Sequence, residues 1–123
     1  MFNLQSMYGT TEEVFFSNWD MGGAYWETEN KPAQKTYKEF NPINLVNNWN
    51  TPILIVQGGK DYRVPTGQAL EAFQATQRAK ELKADYYIFG KKTIGFYNHK
   101  TRSFGNVNFL KWLKRDFVMV LSI

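Results

Sequence analysis

Thr51-Pro52-Ile53-Leu54-Ile55-Val56-Gln57-Gly58-Gly59-Lys60-Asp61-Tyr62-Arg63-Val64-Pro65 is the stretch on which the fold turns. Pro52 to Val56 is continuously apolar and rich in β-branched residues. That pattern suits a strand buried on both faces of a parallel sheet. Gly58-Gly59 ends it, and a short polar loop leads to Pro65. A helix is expected from about Thr66 to Leu82, with Ala69, Ala72, Phe73, Thr76, Ala79 and Leu82 as its apolar stripe. Tyr86 to Phe89 reads as a second strand. An irregular polar stretch is expected from Gly90 to about Gly105, and a closing helix over Val107 to Phe117. Strand, helix, strand, helix is the pattern of an α/β domain with parallel strands.

Upstream signals are weaker. Residues 1–31 show no clean period, although Thr10-Thr11-Glu12-Glu13 can open a short helix and Asp20-Met21-Gly22-Gly23 reads as a turn. Ala33 to Phe40 reads as one or two helical turns. Asn41-Pro42 is a helix start, because Asn caps and Pro suits the first helical position, and Ile43 to Trp49 continues it as a short helix. Two or three strands are too few to cover both faces of a sheet. The expected architecture is therefore one incomplete α/β sheet, part of a larger domain.

Composition narrows the chemistry. The 123 residues suffice for one domain, and 43% hydrophobic and 17% aromatic residues supply core material. With no cysteine, a disulfide framework, a thiolate metal site and cysteine catalysis are excluded. One histidine and no carboxylate pair at ligand spacing give no metal site, and neither Gly22-Gly23 nor Gly58-Gly59 has phosphate-loop spacing, so no cofactor is expected. No apolar run approaches the about 20 residues of a membrane span, and Met1-Phe2-Asn3-Leu4 does not begin a signal peptide. Neither a membrane partner nor a compartment is implied. The net charge of +4 is that of an ordinary solvated surface, so no nucleic-acid partner is expected.

Functional residues of open parallel sheets gather in loops at the C-terminal strand ends. Two loops qualify, Gly58 to Val64 and the stretch from Gly90 onward. Asp61 stands in the first. An acid beyond a buried strand and before a helix can orient a catalytic histidine; equally, it can cap the turn or pair with Lys60 or Arg63.

The Gly58-Gly59-Lys60-Asp61-Tyr62-Arg63-Val64-Pro65 loop, with Met7-Tyr8-Gly9-Thr10-Thr11-Glu12-Glu13, Gly22-Gly23-Ala24-Tyr25-Trp26-Glu27 and Asn41-Pro42-Ile43-Asn44, resembles the prolyl oligopeptidase family of serine peptidases. The likeness runs over about residues 1–89 and returns at Lys111-Trp112-Leu113-Lys114-Arg115. It implies the C-terminal part of an α/β-hydrolase fold, a peptide substrate for the intact parent, Asp61 as the triad acid, and Arg63 as a brace of its loop. It leaves substrate-binding residues unassigned.

Two triad members are not found where the resemblance requires them. Ser6, Ser17, Ser103 and Ser122 are the only serines, and none lies in Gly-x-Ser-x-Gly. The chain is thus expected to start downstream of its nucleophile and to be inactive alone. The family's Asn-His-Trp would fall near Thr93-Ile94. The single histidine, His99, comes about five residues later in Tyr97-Asn98-His99-Lys100, as a displaced base or an incidental loop residue. A permitted codon choice for Lys92 to Thr101, read from its third base, spells Asn-His-Trp-Val-Leu-Gln-Pro-Gln-Asn. Residues from about 90 to 108 are therefore read as a frameshifted translation, which would also explain the late lysines. Two other functions stay open: a non-catalytic basic binding module, and a piece that docks onto a separately encoded N-terminal half.

Overall fold

The computed structural model describes residues 1–79, 82–90 and 99–116, with side chains from residue 106 onward in the last stretch. Five α-helices and two strands run in the order α1 (Leu4–Thr10), α2 (Val14–Met21), α3 (Lys31–Glu39), β1 (Ile53–Gly58), α4 (Thr66–Ala79), β2 (Ala84–Phe89) and α5 (His99–Asp116). A 3-10 helix, Pro42–Asn48, lies between α3 and β1.

Two of the early helices start on an asparagine. Asn3 Oδ1 accepts from the Gln5 and Ser6 amides at the start of α1. Asn30 Oδ1 accepts from the Ala33 amide at the start of α3, where Pro32 occupies the first turn. Both use the short polar side chain to satisfy amides that a helix leaves without internal partners. The Asn41-Pro42 signal marks the start expected of it, but the element it opens is a 3-10 helix. The segment expected to open at Thr10 is divided: α1 ends at Thr10, Thr11 caps it, and α2 begins at Val14. Gly22 then ends α2 at φ 79°, a left-handed conformation that glycine adopts without a Cβ penalty.

These helices close a small core of Leu4, Met7, Met21, Ala33 and Tyr37. The Tyr37 hydroxyl donates to Gly23 O at 2.9 Å and so ties α3 to the turn after α2. Burial, then the neighbouring Tyr8, Glu27 and Tyr25, push its pKa up to about 12.

β1 and β2 pair in parallel, with Ile53 opposite Ala84 and Gly58 opposite Phe89. Alternation puts Ile53, Ile55 and Gln57 on one face with Ala84, Tyr86 and Ile88, and Leu54 and Val56 on the other with Asp85 and Tyr87. Helix α4 packs on the first face, where Phe73 and Tyr86 rings lie 5.9 Å apart. Of the stripe expected on α4, Ala69 and Thr76 are buried, Ala72 and Phe73 half-buried, and Ala79 exposed. Burial on both faces of β1 does not hold along its length: Val56 is 45% exposed. Leu54 and Tyr87 on the same face are half-buried, and the described sheet has two strands only.

The last helix is longer than its sequence pattern. It begins at His99 rather than near Val107 and includes Gly105, so the irregular stretch expected up to Gly105 is helical from residue 99. Gly105, Asn106 and Ser103 are weak helix formers, and they hid this part of the helix. At its far end Arg115 pairs with Asp85 at the start of β2 and with its neighbour Asp116. These hydrogen bonds, Asp116 first, hold the Arg115 pKa above its ordinary value.

Candidate active site

Asp61 lies three residues beyond the end of β1, in a loop held from inside and outside. Within the loop, Gly58 O accepts from the Asp61 amide at 3.2 Å, and Asp61 Oδ1 accepts from the Val64 amide at 2.9 Å. The buried Gln57 side chain donates to Gly58 O and Val64 O, each at 3.0 Å. An aspartate that caps its own turn leaves the loop little freedom.

The outer brace comes from the segment between α1 and α2. Thr11 Oγ1 donates to Arg63 O at 2.8 Å, the Glu12 amide donates to Tyr62 O at 3.0 Å, and Arg63 Nε pairs with Glu13 Oε1 at 2.7 Å. The brace expected of Arg63 is thus made through Glu13, a partner about 50 positions away in the chain that local pattern cannot reveal. The alternative pairing of Asp61 with Arg63 is not made. Asp61 does cap the turn, using one carboxylate oxygen. Its Oδ2 accepts no hydrogen bond from a described residue, and Asp61 itself is only partly buried.

The two C-terminal strand ends meet beside this loop. The Gly59 amide donates to Phe89 O at 3.0 Å, and a Cβ placed on Gly59 would lie 2.8 Å from Gly90 Cα. The chain therefore leaves β2 at Gly90 directly alongside the Asp61 loop. Backbone faces backbone here, so no side-chain rotation can relieve the contact. Gly59→Ala is expected to lower the unfolding free energy by about 1–3 kcal/mol, the usual range for overpacking. Urea unfolding measures it; an unchanged midpoint would refute the close approach.

The remaining candidate positions are less well placed. Thr93 and Ile94, where the histidine motif was expected, lie outside the described residues. His99 is the first residue of α5, a helix end rather than the loop expected for it. Among the described residues no group of three or more His, Asp or Glu side chains could hold a metal ion. No described helix is long and apolar enough to cross a membrane.

Sequence reasoning missed a supporting residue, Gln68. It is buried in the third position of α4, and its Oε1 accepts from the Phe2 and Asn3 amides at 2.9 Å each. Its Nε2 donates to Asn3 O at 3.0 Å and to Ser6 Oγ at 2.9 Å. α1 is thereby fastened to the helix that comes after the Asp61 loop. A glutamine one position before an apolar stripe carries no local signal of this role.

The chain is similar to known peptidases over most of its length. It is 49% identical over 77 residues to dipeptidyl-peptidase 5 of Porphyromonas gingivalis, covering 63% of this chain and 11% of that protein. It is 36% identical over 115 residues to dipeptidyl-peptidase 5 of Porphyromonas endodontalis, covering 94% of this chain and 16% of that protein. An acylaminoacyl peptidase from Pyrococcus horikoshii superposes with a TM-score of 0.74 at 18% identity, over 93% of this chain and 18% of its own. That likeness shows the fold: helices and parallel strands forming part of an α/β-hydrolase architecture. The chain spans less than a fifth of each of these proteins. The family model described as the prolyl oligopeptidase family matches residues 1–119, and the chain belongs to that family of serine peptidases.

Proposed function

We propose that this chain supplies the acid of a Ser-His-Asp peptidase triad, with Asp61 in that role, and that the 123 residues alone do not hydrolyse peptides. The observation that carries the reading is the Asp61 loop. One carboxylate oxygen is anchored by the Val64 amide, Oδ2 accepts from no described residue, and the chain leaves β2 alongside. An acid that orients a histidine needs that combination: a fixed carboxylate with a free lone pair beside the loop that carries the imidazole. In the assembled peptidase the serine attacks the peptide carbonyl. The histidine takes its proton and returns it to the leaving amine, while Asp61 stabilises the imidazolium. Short peptides are the proposed substrates.

The nucleophile must come from outside these residues, because no serine here lies in Gly-x-Ser-x-Gly. Without it there is no covalent route for acyl transfer. A fluorophosphonate probe is therefore expected to leave the purified chain unlabelled. Labelling that disappears in Asp61→Ala would overturn the proposal. For the histidine we propose the alternative frame over about residues 90–108. Nucleotide sequence that cannot spell Asn-His-Trp there in any frame would end that part.

A docking reading is favoured by β1. Ile53 and Gly59 donate to Lys83 O and Phe89 O, so the peptide groups of Leu54 and Val56 turn away from β2. A separately encoded segment bearing a parallel strand would fit that edge. A basic nucleic-acid module is disfavoured: Phe15, Trp19 and Trp26, all well exposed, lie in a segment with five carboxylates and no lysine or arginine.

A further inference from the structure

Charge is unevenly divided along this chain. Residues 1–30 carry Glu12, Glu13, Asp20, Glu27 and Glu29, while all 15 lysines and arginines lie from Lys31 onward. The unevenness falls on two helices whose outward faces are apolar. On α2 the buried Ser17 and Met21 face the core, and Phe15 and Trp19, four residues apart on the other side, face outward. Trp19 is 85% exposed and Phe15 69%. Exposed Glu12 and Asp20 flank them. On α5, Val107, Leu110, Lys111 and Lys114 have the spacing of a single helical face, and all four are exposed. Val107 is 50% exposed and Leu110 56%. One face is aromatic and acidic, the other aliphatic and basic.

We propose that copies of this chain associate head to tail, with the outward face of α5 in one copy lying on the outward face of α2 in the next. Val107 and Leu110 would cover Phe15 and Trp19, and Lys111 and Lys114 would approach Glu12 and Asp20. Such a contact is heterologous: each added copy leaves one α2 face and one α5 face unused, so assembly continues until a ring closes or the chain of copies ends. One helix laid on another buries less than the about 1,600 Å² of a standard interface. Association on the order of micromolar is therefore expected, weakened by salt because the charged rim is solvated. No residue of the Asp61 loop takes part, so this proposal does not depend on Asp61 as the triad acid; it concerns the chain that carries Val107, in the frame of its own sequence and not the alternative frame over about residues 90–108.

Sedimentation of the full 123-residue chain tests it. Species larger than a dimer are expected at about 0.05 M salt, shifting toward monomer at about 0.5 M. Two double variants separate this surface from others: Phe15→Ser with Trp19→Ser, and Lys111→Glu with Lys114→Glu. All four side chains are exposed, so both variants are expected to stay folded, which circular dichroism checks. Each variant alone is expected to be monomeric. Their mixture is expected to form a one-to-one dimer and nothing larger, because only one intact α5 face then meets one intact α2 face. A parent chain that is monomeric at low salt overturns the proposal. So does a mixture that stays monomeric, or association that persists in both variants, as pairing through the free edge of β1 would.

Discussion

Asp61→Asn is expected to lower kcat by about 10⁴-fold in a peptidase that depends on this loop, the size of effect known when a triad acid becomes an amide. Because no serine of this chain lies in Gly-x-Ser-x-Gly, the measurement needs a host. A chimera fits, in which residues 51–79 replace their counterpart in dipeptidyl-peptidase 5 of Porphyromonas gingivalis. Asparagine is nearly isosteric, and its carbonyl oxygen can still accept from the Val64 amide as Asp61 Oδ1 does at 2.9 Å. The loop should therefore hold. What is lost is the negative charge that stabilises an imidazolium, together with control of the histidine tautomer. KM should change far less than kcat. Asp61→Ala removes the anchor too, so it should cost about 1 kcal/mol of stability that Asp61→Asn retains. If Asp61→Asn keeps kcat within a few-fold while Asp61→Ala unfolds the loop, Asp61 is a turn cap and the triad assignment fails.

Gln68→Ala is expected to destabilise the chain by about 3 kcal/mol, a large share of the stability of a domain this size. The side chain is 2% exposed and satisfies the Phe2 and Asn3 amides, Asn3 O and Ser6 Oγ at once. Alanine removes the acceptor of the Phe2 and Asn3 amides and the donor to Asn3 O and Ser6 Oγ. Unsatisfied buried groups cost more than a hydrogen bond contributes on average. Gln68→Glu keeps an acceptor but loses both donors and buries a charge, so it should not rescue. Urea unfolding gives the free energy, and hydrogen exchange at the Phe2 amide reports the local loss. A midpoint shifted by less than about 0.5 kcal/mol would mean that α1 is held by its apolar contacts alone.

The parts legible in the sequence were those with strong local grammar. β1, α4 and β2 arise from an apolar β-branched run, a helical stripe and a second β-rich run, and each lies within a few residues of its expected bounds. The same grammar explains the misses. α1 has only Leu4 and Met7 buried, with Gly9 inside it, so its period is too short to read. α5 runs through Ser103, Gly105 and Asn106, which propensity alone would leave as loop.

For the site, residue order alone gives the position of Asp61 beyond a strand, the family motif around it, and the missing Gly-x-Ser-x-Gly. These are local matters of spacing and residue type. What holds the loop emerges from packing in three dimensions: Glu13 on Arg63, Thr11 on the Arg63 carbonyl, and Gly59 against Gly90. Packing also decided that Val56 stays exposed in a strand whose composition asked for cover on both faces. The reason is common to all of these. Such contacts join residues far apart in the chain, and which distant groups meet is fixed by how helices and strands pack, information that no local window of sequence contains.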